Sequence, residues 1–290
     1  MKKLFLAVAV SAAMSATAQA GTLTNVDVYD GLGNALATNA SAFDWNEAGS
    51  GAAIGIGPFG TPLTIGQKFN FLYQANLVNF TGFGAPATLD TIGKGGAFAG
   101  SNFEFTVVAN LNELVTGTAI LGGLPSASFA ATGGTISIFF NNAGTGGSKA
   151  NIATGTGFDD GVEVARFTAT GGNSNFSASS ASSGFGGTNY DFNIIGALDF
   201  VNTDYIKGIA PITDFHFEST QNVPAGTSTT SGFHMGGSAT YANHAVTAND
   251  ILFKVDGSSK FTVPEPSSVG LLGLGIIGMT LVARRRKSKV

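Results

Sequence analysis

Apolar residues recur at every second position along most of this chain, and glycine breaks the runs before a helical period can establish itself. In Asn102-Phe103-Glu104-Phe105-Thr106-Val107, the residues Phe103, Phe105 and Val107 share one face and the polar residues the other. That alternation marks a half-buried strand. It returns in Phe69, Phe71, Tyr73, Ala75 and Leu77, in Ile136, Ile138 and Phe140, and in Phe215 and Phe217. Phe139 interrupts the polar phase of its run. Further strands are expected over residues 22–29, 162–170 and 190–198, with short helical turns near residues 111–115.

Ile251, Phe253 and Val255 run into Asp256-Gly257-Ser258-Ser259, after which Phe261 and Val263 resume the alternation. An Asp-Gly pair between alternating runs predicts a hairpin. Residues 143–149 and 171–188 are poor in large apolar side chains and read as long, flexible surface loops, with a domain boundary as the alternative for the second. Many strands separated by Gly-rich turns predict an all-β body, residues 21–263, folded as an antiparallel β-sandwich of jelly-roll type. The 24 phenylalanines would fill the space between its sheets.

Both ends differ from this body. Lys2 and Lys3 precede a short apolar run, and Ala18-Gln19-Ala20 offers a small-x-small cleavage site before Gly21, so residues 1–20 read as a signal peptide for signal peptidase. At the other end, residues 267–283 carry no charge and predict one transmembrane helix at the short end of the spanning range. Arg284, Arg285, Arg286, Lys287 and Lys289 follow, and such a cluster stays cytoplasmic while the body is exported. Pro264 and Pro266 hold the strip before the helix extended. Seven of the 14 basic residues and one of the 18 acidic ones lie in the two ends. The body therefore stands at about −10, which excludes nucleic acid as a partner. There is no cysteine, and hence no thiol chemistry and no disulfide framework.

The tail, residues 264–290, resembles the PEP-CTERM sorting signal of Gram-negative bacteria: Pro264-Glu265-Pro266, an apolar helix, then Arg284, Arg285 and Arg286. The resemblance implies recognition by an exosortase, with an inner-membrane intermediate and delivery to the cell surface or matrix. Phe43-Asp44-Trp45-Asn46-Glu47-Ala48-Gly49-Ser50-Gly51, Gly57-Pro58-Phe59-Gly60 and Phe71-Leu72-Tyr73-Gln74-Ala75-Asn76-Leu77-Val78 resemble the flocculation-associated PEP-CTERM proteins. That implies a protein needed for cells to aggregate together with exopolysaccharide, and it brings no catalytic residue.

Few motifs carry chemistry of their own. Residues 55–60 fit GxGxxG without the βαβ unit that pattern requires, and residues 144–149 resemble a phosphate loop in composition only. His216, His234 and His244 show no metal-ligand spacing, and no GxSxG elbow is present. Asp159, Asp160 and Glu163 surround Gly161 as a candidate calcium turn, or simply a solvated acidic one; no other cofactor is expected. Trp45, the single tryptophan, is either a core anchor or a sugar-stacking face, with Asp44 and Glu47 beside it as candidate glycan contacts. The same two carboxylates would be a glycosidase pair only in a catalytic reading. Charged residues make up 11% of the chain and glycine 42 positions, which leaves a surface of hydroxyls and amides suited to glycans or to further copies of itself. The reading is a non-enzymatic exported matrix protein promoting flocculation or biofilm formation; a discrete carbohydrate-binding module and a secreted glycan-active enzyme are the alternatives.

Overall fold

A computed structural model of the chain describes residues 22–23, 25–47, 49–57, 61–81, 88–91, 95–121, 124–152, 154–178, 188–209, 214–219, 222–223 and 249–263. Among them lie fifteen strands: β1 (Thr22–Leu23), β2 (Val26–Tyr29), β3 (Ala35–Ala40), β4 (Ala42–Trp45), β5 (Gly49–Ile54), β6 (Lys68–Thr81), β7 (Phe103–Leu121), β8 (Leu124–Asn142), β9 (Val162–Ala178), β10 (Thr188–Val201), β11 (Ile206–Lys207), β12 (Asp214–Ser219), β13 (Asn222–Val223), β14 (Ile251–Val255) and β15 (Ser258–Val263). The chain divides into two compact units, Leu23–Phe261 and a second made of Met1–Thr22 with Thr262–Val290.

The strands close on themselves. Around the ring the order is β15, β12, β10, β9, β8, β7, β6, β4, and β4 returns to β15. Eight is an even number, so every neighbour in this ring can be antiparallel, and the result is a closed antiparallel barrel with a small sheet, β11-β2-β3, beside it. The all-β expectation holds, but the sandwich does not. Alternation reports which face of a strand is buried and is the same whether two sheets face each other or one sheet curls round.

The inward phase supplies the core. Phe43, Phe71, Phe80, Phe105, Phe140, Phe167, Phe215, Phe217 and Phe261 are fully buried, each worth about 2 kcal/mol of apolar burial. They meet as edge-to-face and offset pairs, such as Phe43 against Phe80 with centroids 5.1 Å apart and Phe167 stacked on Phe215 at 4.3 Å. Val26 and Val28 of β2 and Ile206 of β11 join the same cluster. Outside, Asn70, Asn112, Thr135, Thr168 and Asn193 are exposed. A membrane-spanning barrel shows the reverse polarity, so this wall is built to face water.

Three local expectations are corrected. Residues 111–115 are part of strand β7, not helical turns. Residues 171–178 continue β9, and Gly171-Gly172 forms a kink in it: φ at Gly172 is +143°, and a Cβ there would stand 2.4 Å from Asn193 O. The register shift between Ile195 and Gly196 falls opposite this kink, the device by which a barrel strand bends. Asp256-Gly257 is not a hairpin turn. β14 lies antiparallel to β5, and β15 antiparallel to β4, so both run in one direction along a neighbouring run of chain. The Trp45 N–H donates to Gly257 O at 2.9 Å, which carries the ladder through the Asp-Gly step. Opposite it the neighbouring run passes from the end of β4 at Trp45 to the start of β5 at Gly49.

Candidate functional site

The outer wall of β5, β6, β7 and β8 carries the most unusual chemistry of the barrel. Leu72, Val108 and Phe139 point outward, against the polar phase of their strands, and form a second apolar cluster with Ala52, Ala150, Ile152 and Phe158. The segment between β8 and β9 lies across this patch. Residues 143–149, expected as a flexible loop, are held by side-chain bonds. Asn142 Oδ1 accepts from the N–H groups of Gly144 (2.8 Å) and Thr145 (3.1 Å), and the Asn141 amide donates to Ser148 O at 2.7 Å. Lys149 is paired with Asp90 at 2.6 Å. Thr106 donates to Phe158 O at 2.6 Å.

Under this cover lies Glu104, fully buried on the outward phase of β7. Its Oε1 accepts from Ala150 N–H (2.8 Å) and its Oε2 from the Asn76 amide (2.9 Å). Burial pushes its carboxyl up to about 8; Asp90 and Asp160 act in the same direction, while the Ala150 bond and Lys149 oppose it. Close by on the same wall, Ser50 and Gln74 stand opposite each other in the β5–β6 ladder, both fully buried.

A second buried carboxyl, Glu113, sits on the inward phase of β7, between Leu111 and Val115. Ser174 Oγ donates to it at 2.7 Å, and burial raises it to about 7. Sequence reasoning passed over both. Glu113 left a usable signal, since it occupies the apolar phase set by Phe103, Phe105 and Val107. Glu104 left none, because a glutamate on the polar phase looks solvated.

The candidates named from sequence are placed as follows. Trp45 has no exposed surface; its indole N–H donates to Ser259 Oγ at 3.0 Å and its ring packs edge-on to Phe43 at 5.9 Å. It is a core anchor, and no sugar can lie on its face. Asp44 is half-buried on the outer wall, which raises its carboxyl, and Glu47 is exposed just after β4.

Asp159, Asp160 and Glu163 do not converge. Asp160 accepts from Ser148 N–H (2.8 Å) and Ser148 Oγ (2.5 Å). Glu163 accepts from Ser137 Oγ (2.9 Å) and pairs with Arg166 at 3.2 Å, while Arg166 also bonds Asp199 at 2.7 Å. Among the described residues no group of three or more His, Asp or Glu side chains is placed to hold a metal ion.

In the phosphate-loop-like segment the N–H groups of Gly144 and Thr145 are taken by Asn142 Oδ1 and that of Ser148 by Asp160 Oδ2. Gly55 and Gly57 form a turn tied to Asp250 Oδ1 and Asn249 O, and no described helix follows them. His216 is half-buried, opposite Ile195 in the β10–β12 ladder. Ala18, Ala20, Gly21, Pro264, Glu265, Pro266, Arg284, Arg285, Arg286, His234 and His244 lie outside the described residues, as does the span expected at 267–283. Among the described residues no helix is long and apolar enough to cross a membrane.

The same wall carries an amide rung. The Asn70 amide donates to Asn110 Oδ1 (3.2 Å) and to Asn112 Oδ1 (3.0 Å), across β6 and β7. These side chains keep further donors and acceptors turned to solvent.

Comparison with known families bears on the tail. Residues 262–287 match the PEP-CTERM protein-sorting motif. The chain carries a PEP-CTERM sorting signal. That signal implies an exported protein, handled by exosortase and placed at the cell surface. No curated protein and no solved structure matches the chain.

Proposed function

We propose that this PEP-CTERM protein is a non-enzymatic component of the cell surface or matrix, and that it promotes flocculation or biofilm formation through contacts with exopolysaccharide and with neighbouring copies. The sorting signal carries the reading, because it delivers the body to the place where such contacts are made. The barrel supports it. Its interior is filled by phenylalanine, and the side chains it leaves to solvent on β6 and β7 include the amides of Asn70 and Asn112, which bond sugar hydroxyls or like amides equally well. Asp44 and Glu47, on or beside the outer wall, are the residues of the earlier glycan candidates that still face solvent.

Deleting the gene and scoring aggregation tests the role. Loss of aggregation, restored by the full chain, is the expected result; unaltered aggregation would sink it. A glycan array and a hydrolysis assay on the purified protein separate the alternatives, since discrete sugar binding marks a carbohydrate-binding module and turnover marks an enzyme.

A further inference from the structure

We infer that the open edge of β7, residues 116–121, is where two copies of this protein join, by antiparallel pairing of the same segment from each. β6 pairs with β7 from Thr106 to Leu114, and Gly66 and Gln67 hold Val115 through two backbone bonds, Gly66 N–H to Val115 O (2.8 Å) and Val115 N–H to Gln67 O (2.9 Å). A register shift between Val115 and Gly117 follows. Beyond it β7 keeps β8 on one side and, among the described residues, has no strand on the other. Thr116, Thr118 and Ala119 are exposed, and Ile120 is 77% exposed.

An open sheet edge presents unpaired N–H and C=O groups to any other strand, and proteins ordinarily guard such edges with lysine or proline. This edge has neither. From Leu114 to Ser148 the chain holds no charged residue at all, in a body that stands at about −10. Two acidic copies repel each other in most orientations, but not where these uncharged hairpins meet. Charge therefore favours a second copy here.

A segment pairing with its own copy is isologous: it closes at two and leaves no unpaired edge at the junction. Thr116, Thr118 and Ile120 suit a strand, and Ile120 gains cover that it lacks in the single chain. A six-residue edge makes a small interface, so the association is weak and concentration-dependent, as suits a crowded matrix. The pairing stands by itself; only its consequence for aggregating cells rests on the function proposed above.

Sedimentation velocity of the exported protein, purified from the cell surface, tests the pairing over rising concentration. The parent is expected to shift from monomer to dimer. Thr118→Lys and Ile120→Lys change exposed positions and are expected to remain monomeric, with unaltered circular dichroism and melting. Thr168→Lys, on the exposed face of β9, is expected to dimerise like the parent. A parent that stays monomeric throughout, or edge variants that dimerise as it does, overturns the inference. Aggregation of cells carrying the variants is scored separately. Loss of the dimer with normal aggregation leaves the pairing standing and removes the cohesive role. A monomeric parent in cells whose aggregation needs the gene does the opposite.

Discussion

Glu104 shows how much a single side chain depends on what covers it. Its carboxyl is held at about 8 in the folded protein against an ordinary 4.5, so between those values the unfolded chain has released a proton that the folded chain keeps. Stability from this group is therefore full below pH 4.5, falls as pH rises toward 8, and is flat beyond. Glu113, raised to about 7, adds a fall of the same sign between 4.5 and 7. Melting curves of Glu104→Gln should lie above those of the parent at pH 8 and converge with them near pH 4.5, since Asn76 can turn its amide to accept from the new NH₂ group. A gap that widens toward acid would contradict this. Trp45 supplies the other residue-scale test. As the single tryptophan it should emit as a buried indole, resist aqueous quenchers and ignore added sugars. Trp45→Ala should cost about 3–5 kcal/mol of stability, read from denaturant unfolding.

At the scale of elements, the segment between β8 and β9 behaves as part of the wall. Its glycines and serines look loose, but Asn141, Asn142, Asp160 and Glu104 occupy its backbone groups, and Phe158 and Ala150 fill the apolar patch beneath. Trypsin should therefore spare the bond after Lys149 in the folded protein. Phe158→Ala should open that site and cost about 3–5 kcal/mol, the range for emptying a buried aromatic position. Early cleavage at Lys149 in the parent would show that the segment is not clamped. Calcium should leave the melting temperature unaltered, because Asp160 and Glu163 are already committed to Ser148, Ser137 and Arg166.

For the whole molecule, the ring of eight strands predicts a strand-dominated circular dichroism spectrum, and a helix-rich one would refute the barrel. The sorting signal makes a separate prediction. Replacing Pro264, Glu265 and Pro266 by alanine leaves residues 267–283 as apolar as before, so the variant should accumulate uncleaved in the inner membrane. Mass spectrometry of surface-extracted protein checks it: a C-terminus still ending in Lys289-Val290 on normally aggregating cells would mean that the tail is an ordinary anchor.

Most of the strands, their buried phase and the export address were legible in the sequence, because each is a local property: a period of two, a run of apolar residues, a motif read in one piece. The positions of Phe103, Phe105, Ile136, Ile138, Phe215 and Phe217 follow from alternation alone, and they are buried. What only the tertiary structure decided involves partners far apart in the chain. Whether sheets face each other or one sheet closes depends on β4 meeting β15, more than 200 residues away. Asp256-Gly257 has the composition of a turn, yet the chain passes straight through, because it is paired on either side of that step, Val255 with Gly49 of β5 and Gly257 O with the backbone N–H of Trp45 in β4. Phe139 broke a polar face for no local reason; the reason is the outer apolar cluster it packs against, to which the following loop contributes Ala150 and Phe158. The same loop buries Glu104 and so raises its proton affinity, which no residue beside it in sequence could do.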